Sequence, residues 1–289
     1  MIRVSALVLL SAVSAPPGVP PITSCPDLKV RLSPPDPIQG AIVLVEVEGA
    51  RGEITATWKD RPLPLWRAGP KGPLRALVGI DLEQPPGEAA LLVSRENAEP
   101  CRIDLAVRPG DFPERQLTVA RRYVRPSPRD LARAAREAAR LEAIFATPSP
   151  ERQWQGPFRL PLDVEPSSSF GQRRILNGER QSVHAGTDFG APLGTRVRAT
   201  QGGRVVLASS LFWSGGTVVV DHGLGLFSFY GHLSATSVRE GQRVGQGAVL
   251  GRVGATGRAT GPHLHWSIRL GGARVNPLDL VALPGAGSF

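Results

Sequence analysis

The sequence predicts a mostly β chain: a small N-terminal sandwich, one linker helix and a compact C-terminal unit of sandwich or barrel type. Three observations carry this. The chain holds 33 Gly and 28 Pro in 289 residues, enough to punctuate it with turns at close spacing. Val43, Val45 and Val47 alternate with Leu44, Glu46 and Glu48, and Ile54, Ala56 and Trp58 alternate with threonines, the period-two signature of strands. Helical spacing occurs in one stretch, where Leu131, Ala134, Ala135, Ala138, Leu141, Ile144 and Phe145 recur.

At the N-terminus, Met1-Ile2-Arg3 and the apolar run from Val4 to Ala15 have the form of a signal peptide over residues 1–15. The run is too short to span a bilayer, and no other stretch is long enough. Export to the periplasm or cell envelope is therefore expected. Cys25 and Cys101 are the two cysteines. An even count in an exported chain points to a disulfide. The rival reading is a lipid anchor at Cys25, because Ile22-Thr23-Ser24-Cys25 resembles a lipobox, although Pro16 to Pro21 separates it from the apolar run.

Residues 26–108 read as the N-terminal β-sandwich domain. They contain no histidine and no clustered chemistry, so a spacer or binding role is expected. Residues 109–150 read as a linker with an amphipathic helix. Ser127 is a plausible N-cap, Pro128 the first helical residue, Asp130 the capping acid, and Pro148 and Pro150 the stop. From 151 to 289 the pattern is again short strands and glycine turns, including 196–199, 203–207, 217–220, 226–230 and 248–251.

All five histidines, at 184, 222, 232, 263 and 265, fall in this last region. His263 and His265 lie two apart in a β-favouring run, so both imidazoles face one place. His184-Ala185-Gly186-Thr187-Asp188 adds a nitrogen and a carboxylate. A straight strand would hold positions four apart at about 13 Å, so the chain must bend, and Gly186 is expected to allow it. Imidazole and carboxylate are zinc ligands, and three protein ligands are the catalytic pattern.

The ordered set His184-x-x-x-Asp188, Tyr230-Gly231-His232-Leu233 and Gly261-Pro262-His263-Leu264-His265 resembles the lysostaphin/LytM-type zinc endopeptidases. Phe170-Gly171-x-Arg173-Arg174 and Val275-Asn276-Pro277-Leu278 extend the resemblance from roughly Phe158 to Leu280. It implies a catalytic unit of the duplicated hybrid motif type with a groove across one sheet. It further implies His184, Asp188 and His265 as Zn²⁺ ligands, and His232 and His263 as the catalytic histidines. The implied activity is hydrolysis of peptide cross-links in peptidoglycan, whose peptide stems are the expected partner. Tyr230, Arg174 and Asn276 either line the groove or only bond backbone, and His222, in a turn signal, reads as structural.

The net charge is +9, almost all from arginine; Lys29, Lys59 and Lys71 are the only lysines. That balance suits anionic wall polymers better than nucleic acid in an exported chain, and equally suits coding bias. A second class of function is a wall-binding activator of other murein hydrolases, as in relatives that have lost ligands; here all five site positions are present. A lipoyl-type carrier is suggested by Val244-Gly245-Gln246-Gly247-Ala248-Val249-Leu250-Gly251 but excluded, because no lysine follows Lys71.

Overall fold

The computed structural model describes residues 22–25, 28–49 and 52–283; the expected signal segment lies outside them. The fold is mostly β. In the N-terminal part a five-stranded sheet runs in the order Ile22–Cys25, Leu28–Ser33, Ile42–Glu48, Leu74–Gly79, Trp66–Arg67, with antiparallel neighbours. It faces a four-stranded sheet of Arg61–Pro62, Ile54–Trp58, Gly87–Arg95 and Cys101–Val107. Between them the valines expected from the alternation, Val43, Val45 and Val47, meet Ala56, Leu91 and Ile103. A disulfide joins Cys25 to Cys101, tying the edge strand of one sheet to the edge strand of the other (Cα–Cα 5.9 Å).

Ile42 and Leu44, on the other face of the same strand, are also buried, at 1% and 2% exposure. The reason is that this face docks on the C-terminal unit. Ile42, Leu44, Trp66 and Leu77 share one continuous core with Trp154, Leu270 and Val275. Trp66 and Trp154 meet edge to face at 5.7 Å. The Arg274 guanidinium donates to both Asp81 and Glu83, and Asp279 accepts from the Ile42 amide. The docking surface includes the C-terminal end of the strand His263–Leu270, where Gly79 packs against Leu270.

The C-terminal unit is built on a seven-stranded antiparallel sheet. Its main order is Thr187–Gly190, His263–Leu270, Leu226–Leu233, Gly215–Gly223, Gly203–Leu211, Arg243–Val244. A small sheet of Arg196–Arg198, Val249–Arg252 and Ala235–Thr236 covers one face. Alternation sends Val218, Val220, Tyr230, Leu264 and Trp266 into the core that includes Val197 and Leu250. It sends Val219, Leu207 and Phe227 to the opposite face. There helix α1 (Pro128–Phe145) covers them with Leu141, Ile144 and Phe145.

Helix α1 starts as its sequence predicts: Ser127 Oγ accepts from the Asp130 amide at 3.1 Å, and Pro128 follows the cap. Leu131, expected on the packed stripe, is instead 52% exposed, because the helix contacts the sheet mainly through its C-terminal half. Helix α2 (Pro277–Ala282) was not expected; Asn276 caps it by accepting from the Leu278 amide. No helix among the described residues is long and apolar enough to cross a membrane.

Candidate metal centre

The site lies on the same sheet face as α1, on the part of it that the helix leaves uncovered. Along His263–Leu270 burial alternates, with Leu264 and Trp266 in the core and His263 and His265 on the open face. The neighbouring strand Thr187–Gly190 pairs Asp188 directly across from His265. Cross-strand partners have side chains about 5 Å apart at Cβ, and here Asp188 Oδ1 comes within 2.9 Å of His265 Nδ1. His184 reaches the same spot after the strand Glu179–Val183 ends. Its Nε2 is 3.0 Å from Asp188 Oδ1 and 3.0 Å from His265 Nδ1.

Gly186 is required here for a reason other than the expected bend. It is not among the residues with positive φ. A Cβ on it would stand 2.6 Å from the Trp266 carbonyl oxygen and 2.7 Å from His265 Cε1. The residue is glycine so that the His184–Asp188 segment can lie against the His265 ring.

His232 is brought in by a bulge. Strict alternation after Tyr230 would aim it at the core. Instead the pairing with Gly215–Gly223 advances three residues, from Tyr230 to Leu233, against two on the partner strand. His232 takes a left-handed backbone (φ 63°), uncommon outside glycine. Leu233 thereby returns to the core, and the His232 ring centroid lies 4.6 Å from that of His263 and 6.0 Å from that of His265.

Backbone carbonyls fix the ring orientations. His184 Nδ1 donates to the Ser169 carbonyl at 3.0 Å, which leaves Nε2 with a lone pair toward Asp188. His232 Nδ1 donates to the Thr256 carbonyl at 2.7 Å and His263 Nδ1 to that of Gly261 at 2.8 Å. This is the kind of outer support that sets the tautomer of metal-site histidines. The second Asp188 oxygen accepts from Ser168 Oγ and Arg174.

Burial pulls His184 down to about 4, against the opposing pull of Asp188. Burial also lowers His232, to about 3, with the neighbouring His263 and His265 adding to the effect. For Asp188 burial pushes the carboxyl up, but the hydrogen bonds from His184 and His265 outweigh it and hold it well below the usual range. Neutral imidazoles and an ionised carboxylate are the states a divalent cation needs. The donors of His184, Asp188 and His265 lie within 4.8 Å of one another, so this trio fits a metal ion.

A pocket of about 230 Å³ opens beside the trio, reaching Asp188 and His263. One wall comes from the stretch expected to be only linker. Glu114–Leu117 is a strand, paired parallel with Arg173–Leu176, and it brings Arg115 and Leu117 to the pocket. Asn177 holds Val119 through both its amide and carbonyl, and Tyr123 packs on Phe212 and Trp213. Arg258 lines the same pocket from the loop before His263.

Other residues singled out from the sequence stand elsewhere. Tyr230 is fully buried, its hydroxyl accepting from the Thr200 amide, and Asn276 is the α2 cap. His222 is fully buried, donating from Nδ1 to the Gly202 carbonyl, with the Ser228 hydroxyl on Nε2. Sequence reasoning did not find Arg115, Ser168, Trp213 or Arg258, which carry no motif of their own.

Two imidazoles and a carboxylate meeting at one point, with two further imidazoles beside a groove, define a centre of the metallopeptidase type. Residues 182–277 match the model of Peptidase family M23. The crystal structure of a candidate peptidase M23 from Pseudomonas aeruginosa is 34% identical, covers 88% of this chain and 96% of its own, and superposes with a TM-score of 0.69. The chain belongs to peptidase family M23. It is 46% identical over 120 residues to the DD-carboxypeptidase/endopeptidase Mpg of Neisseria meningitidis serogroup B, over 41% of this chain and 27% of that protein. It is 40% identical over 123 residues to the peptidoglycan DD-endopeptidase ShyA of Vibrio cholerae, over 42% of this chain and 29% of that one. The chain thus spans less than a third of either curated relative.

Proposed function

We propose that the chain is an exported, zinc-dependent endopeptidase that hydrolyses peptide cross-links of peptidoglycan. The observation that carries this reading is the convergence of His184, Asp188 and His265 beside His232 and His263, within the segment that matches the family. The relative named as a peptidoglycan DD-endopeptidase supplies the substrate class.

In this reading His184, Asp188 and His265 hold the ion and His232 and His263 act on the reactants. Zinc held there supplies Lewis-acid polarisation and eases deprotonation of a water at neutral pH. Ser168 and Arg174 orient the Asp188 carboxylate, and the Ser169 carbonyl orients His184. His232 and His263 are each anchored through Nδ1, which keeps Nε2 for the reactants. Between them they take the water's proton, donate a hydrogen bond to the developing oxyanion and return a proton to the leaving amine. The N-terminal sandwich, docked on the far end of the His263–Leu270 strand, supports the segment that forms the groove wall. Export follows from where peptidoglycan lies and from the apolar start of the sequence.

Incubating the purified protein with cross-linked murein and identifying the products by mass tests the reading. Release of un-cross-linked stems, abolished by a chelator and restored by zinc, is expected. Intact cross-links in the presence of stoichiometric zinc would overturn it.

A further inference from the structure

The pocket beside the metal trio carries an unbalanced charge. Arg115, Arg174 and Arg258 line it, and its one lining carboxylate is Asp188. That carboxylate is already engaged by His184, His265, Ser168 and Arg174. Arg115 and Arg258 have no ion-pair partner among the described residues.

Arg258 is held rather than loose. Its guanidinium lies over the Trp213 ring at 4.8 Å, and its amide donates to the Trp213 carbonyl at 2.7 Å. Burial, and then the charge of Arg174, work against its protonation. A half-buried guanidinium with no anion beside it is costly to keep charged, and that cost is relieved when an anion enters the pocket. Trp213 itself packs on Tyr123 and Phe212, so the platform under Arg258 is part of an aromatic cluster. Arg115 comes to the pocket from the linker-derived wall, where the parallel pairing with Arg173–Leu176 sets it beside Arg174. A planar fork of N–H groups suits a carboxylate.

We propose that Arg258 and Arg115 form a carboxylate subsite that makes the enzyme select peptides bearing a free carboxylate next to the bond to be cut. The proposal rests on the endopeptidase reading above. The anion is either the C-terminal carboxylate of a stem or a carboxylate branching from a residue beside the scissile bond. Arg174 helps to set the positive potential while remaining committed to Asp188.

The test uses the full zinc-loaded protein and three cross-linked peptides: one with every carboxyl free, one amidated at the C-terminus, one amidated at the branch carboxyl. Cleavage kinetics are measured for each, with affinity read from tryptophan fluorescence, which Trp213 should report. One amidation should cost the wild type roughly 10- to 100-fold in kcat/KM, mainly through KM, as expected for losing a charged hydrogen bond. The peptide that responds identifies which carboxylate is read. Arg258→Gln should lose a similar factor on the free acid and almost nothing on the responsive amide, with a smaller loss for the exposed Arg115→Gln. Retained activity on that amide shows that the variants are folded. Equal losses on all three peptides, or a wild type indifferent to amidation in both rate and affinity, would overturn the subsite while leaving the endopeptidase standing. Acid-selective binding that both substitutions abolish, without any cleavage, would support the subsite and remove the endopeptidase reading.

Discussion

His232 is the residue whose position depends most on a single backbone event. Its left-handed φ of 63° and the bulge around it turn the ring out of the core and onto the face of His263. It does not touch the trio's carboxylate, so its loss should be chemical rather than structural for the metal. Replacing His184, Asp188 or His265 with alanine is expected to remove zinc and activity together. His232→Ala should keep near-stoichiometric zinc while hydrolysis falls by about 10²–10⁴-fold, the usual cost of losing a positioned acid or base. Elemental analysis beside a turnover assay separates the two patterns. Gly186→Ala tests the close approach of the ligand segment. With 2.6 Å from its Cβ to the Trp266 carbonyl oxygen and 2.7 Å to His265 Cε1, the ligand segment and the His265 strand must move apart, so zinc affinity should drop while the fold, seen by circular dichroism, persists. Unchanged zinc affinity would show that this separation leaves the ligand geometry intact.

At the scale of elements, the disulfide is the simplest to test. It bridges edge strands of the two N-terminal sheets across 76 residues of chain. Cross-linking across a long loop stabilises by about 2–4 kcal/mol in ordinary cases. The Cys25→Ser/Cys101→Ser double variant should lose about that much in denaturant unfolding. The zinc content should not change, because neither cysteine lies near the centre. The strand Glu114–Leu117 matters for a different reason: it is both the path from sandwich to helix and a wall of the groove.

For the whole molecule, the buried histidines make stability depend on pH. His222 is held down to about 4 by burial, against an ordinary 6.5, although its hydrogen bond to Gly202 and the charge of Asp221 oppose this. Between those values the unfolded chain binds a proton that the native chain refuses. Stability is therefore full above about pH 6.5 and falls as the pH drops toward 4, at up to about 1.4 kcal/mol per pH unit. In metal-free protein His184 and His232 add in the same direction. Urea midpoints measured at about pH 7.5 and about pH 5 should show the decline, and His222→Gln should make it shallower. An unaltered slope in that variant would mean that His222 is not the group being titrated.

Much of this protein was legible from local pattern. Period-two alternation in 42–48 and 54–58, the Ser127 cap with Pro128, and the turn content all act between near neighbours, so they survive as strings of residues. The same holds for His263 and His265, whose shared face follows from strand geometry, and for the family motifs that drew the other site residues together. Tertiary structure alone decided the rest. Ile42 and Leu44 look like one face of an ordinary sandwich strand until the second unit docks on them. Gly186 reads as a hinge until the His265 ring is placed beside it. Arg115, Arg174 and Arg258 are separated by long stretches of an arginine-rich chain, and nothing local marks them as neighbours. They meet because a short linker segment pairs in parallel with Arg173–Leu176 and a loop stacks on Trp213. Such contacts depend on register and on sheets twisting past one another, and these are properties of the folded chain rather than of any segment of it.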